Sequence, residues 1–239
     1  MNKHDDTVTA PTEQDLAALD ARLAASEHPK WQNFYLDRAR PCPFFGLAPD
    51  ENLSEWLAAG RLPGRRAVDL GCGNARNALC LAGRGFDEVL GIDFSASAVA
   101  WAREEIARSG LPVRIEQRSV FDQSLPAGAA DLVYDSGCFH HIAPHRRADY
   151  VRLVREALRP GGAFGLVCFA PEGGSGLSDA AVYEQDSLGG GLGYEAERLR
   201  EIWSPGFEIA ELRRMRDQEA GSGLFGRDFL WVMLAYKKV

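Results

Sequence analysis

The sequence predicts an α/β domain built on a mainly parallel sheet, and three observations carry that prediction. The chain has 239 residues, 46% of them hydrophobic and 26% charged, which is enough for one large core. Ala67, Val68 and Leu70 form a short apolar run that breaks at Gly71 and Gly73, and a helical pattern follows at 75–82, which is the order strand, tight turn, helix. Residues 163–169 are almost continuously apolar, which is typical of a strand covered on both faces.

The segment before the first strand has a different character. Apolar residues recur at helical spacing over 16–23, which predicts a short amphipathic helix. An unusually aromatic stretch follows at 31–45, and a second helical face at 53–57 ends at a glycine. We therefore expect residues 1–60 to form an N-terminal helical and aromatic cap, and residues 61–239 to form a single globular domain.

The glycine turn predicts a ligand site, and its neighbours indicate which ligand. A dinucleotide turn would carry a third glycine, but Arg76 stands at that position. A carboxylate, Asp69, precedes the first glycine and would suit an ammonium better than a pyrophosphate. Asp93 ends the next strand about 20 residues beyond the turn, the usual place for a ribose-hydroxyl acceptor. The pattern favours a ligand with a ribose and a positive charge.

The rest of the chain alternates further helices and strands, predicted over 96–109, 113–117, 130–134, 150–158, 163–169, 195–203, 207–215 and 229–236. Its longest loop-like passage, at about 170–194, is rich in glycine. Loops of this length are commonly lids, so we expect it either to cover an acceptor pocket or to be a mobile connector.

Four motifs in this order resemble those of class I S-adenosylmethionine-dependent methyltransferases: Val-Asp-Leu-Gly-Cys-Gly at 68–73, Gly-Ile-Asp-Phe-Ser at 91–95, Ala-Asp-Leu-Val-Tyr-Asp at 130–135 and Leu-Arg-Pro-Gly-Gly at 158–162. The resemblance implies a Rossmann-like fold with a seven-stranded, mainly parallel sheet, helices on both faces and an antiparallel last strand. The Trp-Gln-Asn-Phe-Tyr segment at 31–35 also faintly resembles the thiopurine and tellurite-detoxifying methyltransferases.

The resemblance further implies methyl transfer from S-adenosylmethionine to a small-molecule acceptor. It assigns the methionine ammonium to Asp69, ribose hydroxyls to Asp93 and the adenine to residues 119–121. The full set of expected cofactor contacts is Asp69, Gly71, Cys72, Gly73, Asn74, Asp93, Phe94, Ser119, Val120, Phe121 and Asp135. Trp31, Tyr35 and Tyr183 are candidate acceptor contacts, although the N-terminal aromatics would equally serve to fasten the cap to the core.

Two adjacent histidines follow the fourth strand of the domain, where open α/β sheets place their ligands. His140 or His141 could remove a proton from an oxygen or nitrogen acceptor, or either could simply hydrogen-bond the local turn. No metal site is expected, because adjacent histidines cannot easily direct both rings at one ion.

The composition and the motifs of the chain indicate which classes of partner to expect. The formal net charge of −7 and the absence of an Asn/Asp-Pro-Pro-Tyr motif after the fourth strand argue against nucleic acid. No stretch approaches the apolar length of a membrane span, so we expect a cytoplasmic protein. Two alternatives stay open, a protein that binds S-adenosylmethionine without transferring methyl and a nicotinamide-dependent oxidoreductase. The acceptor and the oligomeric state are not encoded in a readable way.

Overall fold

A computed structural model describes residues 12–239, so the first 11 residues of the predicted cap lie outside the described part of the chain. The helices of the described part are α1 (Glu13–Leu36), α2 (Glu51–Ala58), α3 (Arg76–Gly83), α4 (Ala96–Ser109), α5 (Arg147–Ala157), α6 (Asp179–Glu184) and α7 (Ala196–Trp203). The strands are β1 (Arg66–Leu70), β2 (Glu88–Asp93), β3 (Val113–Gln117), β4 (Ala130–Ser136), β5 (Leu158–Phe169), β6 (Phe207–Arg214) and β7 (Leu230–Lys237).

The strands form one sheet in the order β3-β2-β1-β4-β5-β7-β6. Strands β1 to β5 pair in parallel, and β7 lies antiparallel to both β5 and β6. This confirms the predicted seven-stranded, mainly parallel sheet with a reversed last strand. Because the strand order reverses between β1 and β4, the helices that follow these two strands pack on opposite faces of the sheet, and the crevice between the connections is where such sheets bind ligands.

Helices cover both faces of the sheet, and each face has its own apolar cluster. Side chains of α5 and α7, among them Tyr150 and Trp203, pack on one face. Side chains of α2 and α3, among them Trp56 and Leu81, pack on the other. Successive residues of β1 alternate between the two clusters, as a strand buried on both sides requires.

Helix α1 is longer than the predicted short helix. It begins at a capping box between Thr12 and Asp15 and runs through Pro29 to Leu36, so the aromatic stretch that starts at Trp31 is helical. Pro29 removes a backbone donor and ordinarily breaks a helix. Here burial of the aromatic side chains that follow it against the domain outweighs that loss, a tertiary effect that local sequence does not contain.

Helix α1 is fastened to the domain at several points along its length. The Ser97 hydroxyl at the start of α4 donates to the Gln32 carbonyl at 2.7 Å. Towards the other end, Asp20 accepts from Arg146 at 2.6 Å and pairs with His145 at 2.9 Å. Glu27 accepts the backbone N–H of Leu188 at 3.1 Å. Helix α1 is thus held to the segments that follow β2, β4 and β5.

The long loop after β5 is neither open nor featureless. It contains α6, and Leu188, Leu192 and Tyr194 are buried in the same apolar cluster as α5. At Gly191 the backbone has φ +123°, and an added Cβ would lie 2.9 Å from atoms of both His140 and His141. Glycine there lets the loop backbone pack directly on the two imidazoles.

Among the helices of residues 12–239, none combines the length and the apolar character needed to cross a bilayer.

Candidate functional site

Two cavities lie side by side at the carboxyl ends of the parallel strands. The larger has a volume of about 870 Å³ and the smaller about 480 Å³. Trp31, Tyr35, Gly71, Gly137 and His141 line both, so the two cavities meet at the glycine turn after β1. A ligand that binds across this junction would place one end in each cavity.

The glycine turn allows close packing from the cap. Gly73 has φ +54°, and a Cβ added to it would lie 2.7 Å from the Tyr35 hydroxyl oxygen. Tyr35 is brought there by α1, and burial together with the nearby Asp93 carboxylate raises the pKa of its phenol well above the usual value. Ala75 begins α3 in the left-handed conformation, with φ 67°. The backbone of the turn is therefore exposed to close contact, and the Tyr35 side chain packs over it.

Two buried carboxylates flank this turn. Asp69, on β1, is 2% exposed and lines the larger cavity, and burial raises its pKa to about 8 in spite of the opposing charge of Arg76. Asp93, at the end of β2, lines the smaller cavity. It accepts the backbone N–H groups of Gly73 at 3.0 Å and Ser95 at 2.9 Å, while burial raises its pKa to about 6. A cation bound beside Asp69 would offset the cost of burying its negative charge and would lower its pKa.

The other expected cofactor contacts divide between the cavities. Cys72 and Asn74 line the larger one with the backbone of the glycine turn. Phe94, Ser119, Val120 and Phe121 line the smaller one. The structure therefore brings together every expected cofactor contact except Asp135.

Asp135 has a different role from the expected one and lines neither cavity. It is fully buried at the end of β4, and its carboxylate accepts the N–H groups of Cys138 at 2.8 Å and Phe139 at 2.9 Å and the Tyr150 hydroxyl at 2.5 Å. Burial raises its pKa to about 7. Asp135 shapes the turn that presents the histidines, because its oxygens are already occupied by local donors.

The two histidines are not equivalent. His140 lines only the larger cavity, stacks on Phe169 with ring centroids 3.8 Å apart and accepts the Phe169 N–H at Nδ1 at 3.1 Å. Nε2 must then carry the proton of the neutral ring. Burial lowers its pKa to about 3, so His140 is a neutral, fixed side chain.

His141 lies at the junction of the cavities, edge-on to Trp31 with centroids 4.5 Å apart. Its Nδ1 is buried and has no hydrogen-bond partner in residues 12–239. Burial, together with His140 and Lys30, lowers its pKa well below the usual value. Of the two histidines, only His141 lines both cavities.

The candidate acceptor contacts also separate. Trp31 and Tyr35 line both cavities. Tyr183 lines neither, because its hydroxyl bonds His145, accepting the backbone N–H at 2.9 Å and lying 2.8 Å from Nδ1. The expectation that Tyr183 contacts the acceptor is therefore not met in this structure, and the residue joins α6 to the segment before α5.

Sequence reasoning missed several lining residues. Arg76, noted only as a missing glycine, is buried in the wall of the larger cavity and pairs with Asp50 at 2.6 Å. Phe225, Arg227 and Phe229 reach the same cavity from the segment before β7. The Arg76 substitution was a visible signal, but the residues near β7 carry no motif. Within the described chain, no group of three or more His, Cys, Asp or Glu side chains is arranged to hold a metal ion.

Comparisons with known proteins find similarity to methyltransferases in sequence and in fold. A family profile described as a methyltransferase domain matches residues 67–162. The tRNA U34 carboxymethyltransferase of Citrifermentans bemidjiense is 31% identical over 185 residues, 70% of this chain and 53% of that protein. The 2-heptyl-1-hydroxyquinolin-4(1H)-one methyltransferase of Mycobacteroides abscessus is 28% identical over 77% of this chain and 76% of its own.

Among solved structures, an S-adenosylmethionine-dependent methyltransferase from Mesorhizobium loti superposes with a TM-score of 0.60 at 22% identity, covering 80% of this chain and all of that one. This likeness concerns the fold. The chain spans about half the length, or less, of the first curated relatives that it matches.

Proposed function

Since the chain carries a methyltransferase domain of the class I S-adenosylmethionine-dependent type, we propose that it transfers a methyl group from S-adenosylmethionine to a small-molecule acceptor. The observation that carries the proposal is the pair of cavities that meet at the glycine turn, with the buried Asp69 in the larger cavity and the buried Asp93 in the smaller one. The cofactor supplies a methyl group on a positively charged sulfur.

The smaller cavity suits the nucleoside part of the cofactor. Asp93 offers carboxylate oxygens to ribose hydroxyls, and Phe94 and residues 119–121 provide an adenine surface. The larger cavity suits the amino-acid part and the acceptor. Asp69 meets the ammonium there, because a buried carboxylate with a raised pKa gains most from an adjacent cation.

The chain's remaining task is alignment and exclusion of water. Trp31 and Tyr35 roof the junction from α1, and the loop at Gly191 closes it from the other side. His141 offers Nε2 to the acceptor as a general base. His140 is fixed to the end of β5 by the Phe169 N–H, and its backbone carbonyl accepts the Leu192 N–H of the loop.

The acceptor class is the finer part of the proposal. The name of the Citrifermentans relative indicates tRNA, whereas that of the Mycobacteroides relative indicates a small heteroaromatic molecule. Two features favour the small molecule. A net charge of −7 does not favour binding to RNA, whose phosphates require a concentrated basic face. The junction of the cavities also lies beneath α1, which restricts access for a large acceptor.

The first test is calorimetric titration with S-adenosylmethionine, S-adenosylhomocysteine and NAD. We expect both sulfur nucleosides to bind and NAD to give no heat, and Asp93→Asn to weaken nucleoside binding about tenfold or more. Binding of NAD alone would support the oxidoreductase alternative and refute the proposal.

The second test uses S-adenosylmethionine with a tritiated methyl group and two acceptor sources, bulk tRNA and a panel of small hydroxy-, amino- and thiol-bearing molecules. Label transferred to the small molecules supports the proposal. Label transferred to tRNA would refute the acceptor class, and cofactor binding with no transfer to either source would indicate a binding protein.

A further inference from the structure

The larger cavity has a charge opposite to that of the chain. Only one acidic side chain, Asp69, lines it, whereas four basic residues do: Lys30, Arg40, Arg76 and Arg227. The whole chain has 34 acidic and 27 basic residues, so this is a local reversal. An excess of cations in a concave, partly apolar wall attracts an anion.

The four cations are not equally available. Arg76 is neutralised by the buried Asp50, and Lys30 pairs with Glu27 at 3.3 Å. Neither Arg40 nor Arg227 forms an ion pair with any residue of the described chain. Nη1 of Arg227 donates to the Gln218 and Gly226 carbonyls at 3.1 and 3.0 Å, which leaves its positive charge without a counter-ion. Arg40 follows α1 and Arg227 precedes β7, so the two arginines reach the cavity from different segments of the chain. An anion in the cavity would give both of them a counter-ion.

The remaining wall is aromatic. Phe34 and Phe44 stack with centroids 5.9 Å apart, Phe44 meets Phe225 edge-on at 6.3 Å, and Phe169 lies 6.2 Å from Phe229. The Arg40 guanidinium carbon lies 4.8 Å from the Phe34 ring centroid, so the cation belongs to the same surface as the rings. A cavity wall of this kind binds a flat, apolar ligand best, because such a ligand can stack on the rings.

We propose that the acceptor is a planar aromatic molecule with an anionic group, whose ring packs among these phenylalanines and whose charge meets Arg40 and Arg227. This inference rests on the proposed function and narrows its substrate class.

The arginines have one competing role, which is to bind the carboxylate of the cofactor's own amino-acid part. The two roles predict different consequences of removing the charges. If the arginines serve the acceptor, Arg40→Gln/Arg227→Gln weakens acceptor binding and leaves cofactor affinity unchanged. If they serve the cofactor, the reverse holds.

The test uses two probes that differ in charge alone, 3-hydroxy-2-naphthoate and its uncharged amide, 3-hydroxy-2-naphthamide. Binding of each is measured by calorimetry, with and without saturating S-adenosylhomocysteine. We expect the naphthoate to bind about tenfold more tightly than the amide, and the ratio to fall to about one in Arg40→Gln/Arg227→Gln.

Arg103→Gln/Arg200→Gln is the matched control. It removes the same charge from exposed positions on α4 and α7 that line neither cavity, and we expect it to retain the parent ratio. Equal affinity of the parent for the two probes would overturn the inference. So would a ratio that survives in Arg40→Gln/Arg227→Gln, or a tenfold loss of S-adenosylhomocysteine affinity in that variant. Failure of the parent to bind S-adenosylhomocysteine would instead overturn the proposed function.

Discussion

The raised pKa of Asp69 predicts that cofactor binding releases a proton. In the free protein burial raises this pKa to about 8, so at pH 7 about 0.9 of the molecules hold a protonated carboxyl. An ammonium beside it stabilises the ionised form, and the proton must leave. We therefore expect S-adenosylhomocysteine to displace about 0.9 proton per site at pH 7 and about 0.5 at pH 8, where half of the carboxyl is already ionised.

The assay is calorimetric titration in buffers of different ionisation enthalpy, in which the slope of apparent enthalpy against buffer enthalpy gives the number of protons released. Asp93 contributes little to the number of protons released, because with a pKa of about 6 only about 0.1 of this carboxyl is protonated at pH 7.

Asp69→Asn is the control, because the amide has almost the same shape and cannot titrate. We expect this variant to abolish the release and to weaken binding roughly 10- to 100-fold. Apparent enthalpies that do not depend on the buffer at pH 7, or a release that persists in Asp69→Asn, would refute the placement of the ammonium.

Four further predictions test individual side chains. His141→Ala should lower kcat about 10²- to 10⁴-fold with unchanged S-adenosylhomocysteine affinity, whereas His140→Ala should mainly lower the thermal midpoint; the opposite pattern would reassign the base. Arg76→Met should cost about 3–5 kcal/mol in urea unfolding, because it leaves a buried carboxylate unpaired, and a loss under 1 kcal/mol would contradict the buried ion pair. Gly73→Val should weaken cofactor binding strongly, since its Cβ would contact the α1 tyrosine hydroxyl and its φ is positive, and unchanged calorimetric affinity would exclude this packing. Asp135→Asn should destabilise the fold by about 1–3 kcal/mol while cofactor affinity measured under native conditions stays within about threefold, and a selective loss of affinity would restore its expected role as a ligand contact.

Much of the fold could be predicted because its signals are local. The apolar run at β1, the glycine break and the helical pattern that follows are contiguous, and periodicity identifies them directly. The reversed β7 came from the family resemblance, since periodicity does not encode strand direction. The length of α1 was missed, because Pro29 is a local helix breaker whose effect is outweighed by distant contacts.

For the candidate site, the sequence singled out Asp69, Asp93 and the glycine turn, whose positions at strand ends follow from chain order. It also predicted Asp135 to be a cofactor contact. A carboxylate at the end of a strand has the same sequence pattern whether it faces a ligand or accepts hydrogen bonds from its own turn. Only the structure shows that three local donors occupy it. Tyr183 illustrates the same difficulty in a loop, where nothing in the sequence indicates which way a side chain faces.

By itself, then, the sequence determined the order of strands and helices, the carboxylates beside the turn and the family that these resemble, because each depends on residues adjacent in the chain. The tertiary structure decided which histidine lines both cavities, and it brought Arg40, Phe169 and Arg227 to the wall of one cavity. These residues lie far apart in sequence and meet only when α1, β5 and the segment before β7 pack at one edge of the sheet. That packing is a collective result of burying apolar surface, and no local pattern encodes its side-chain contacts.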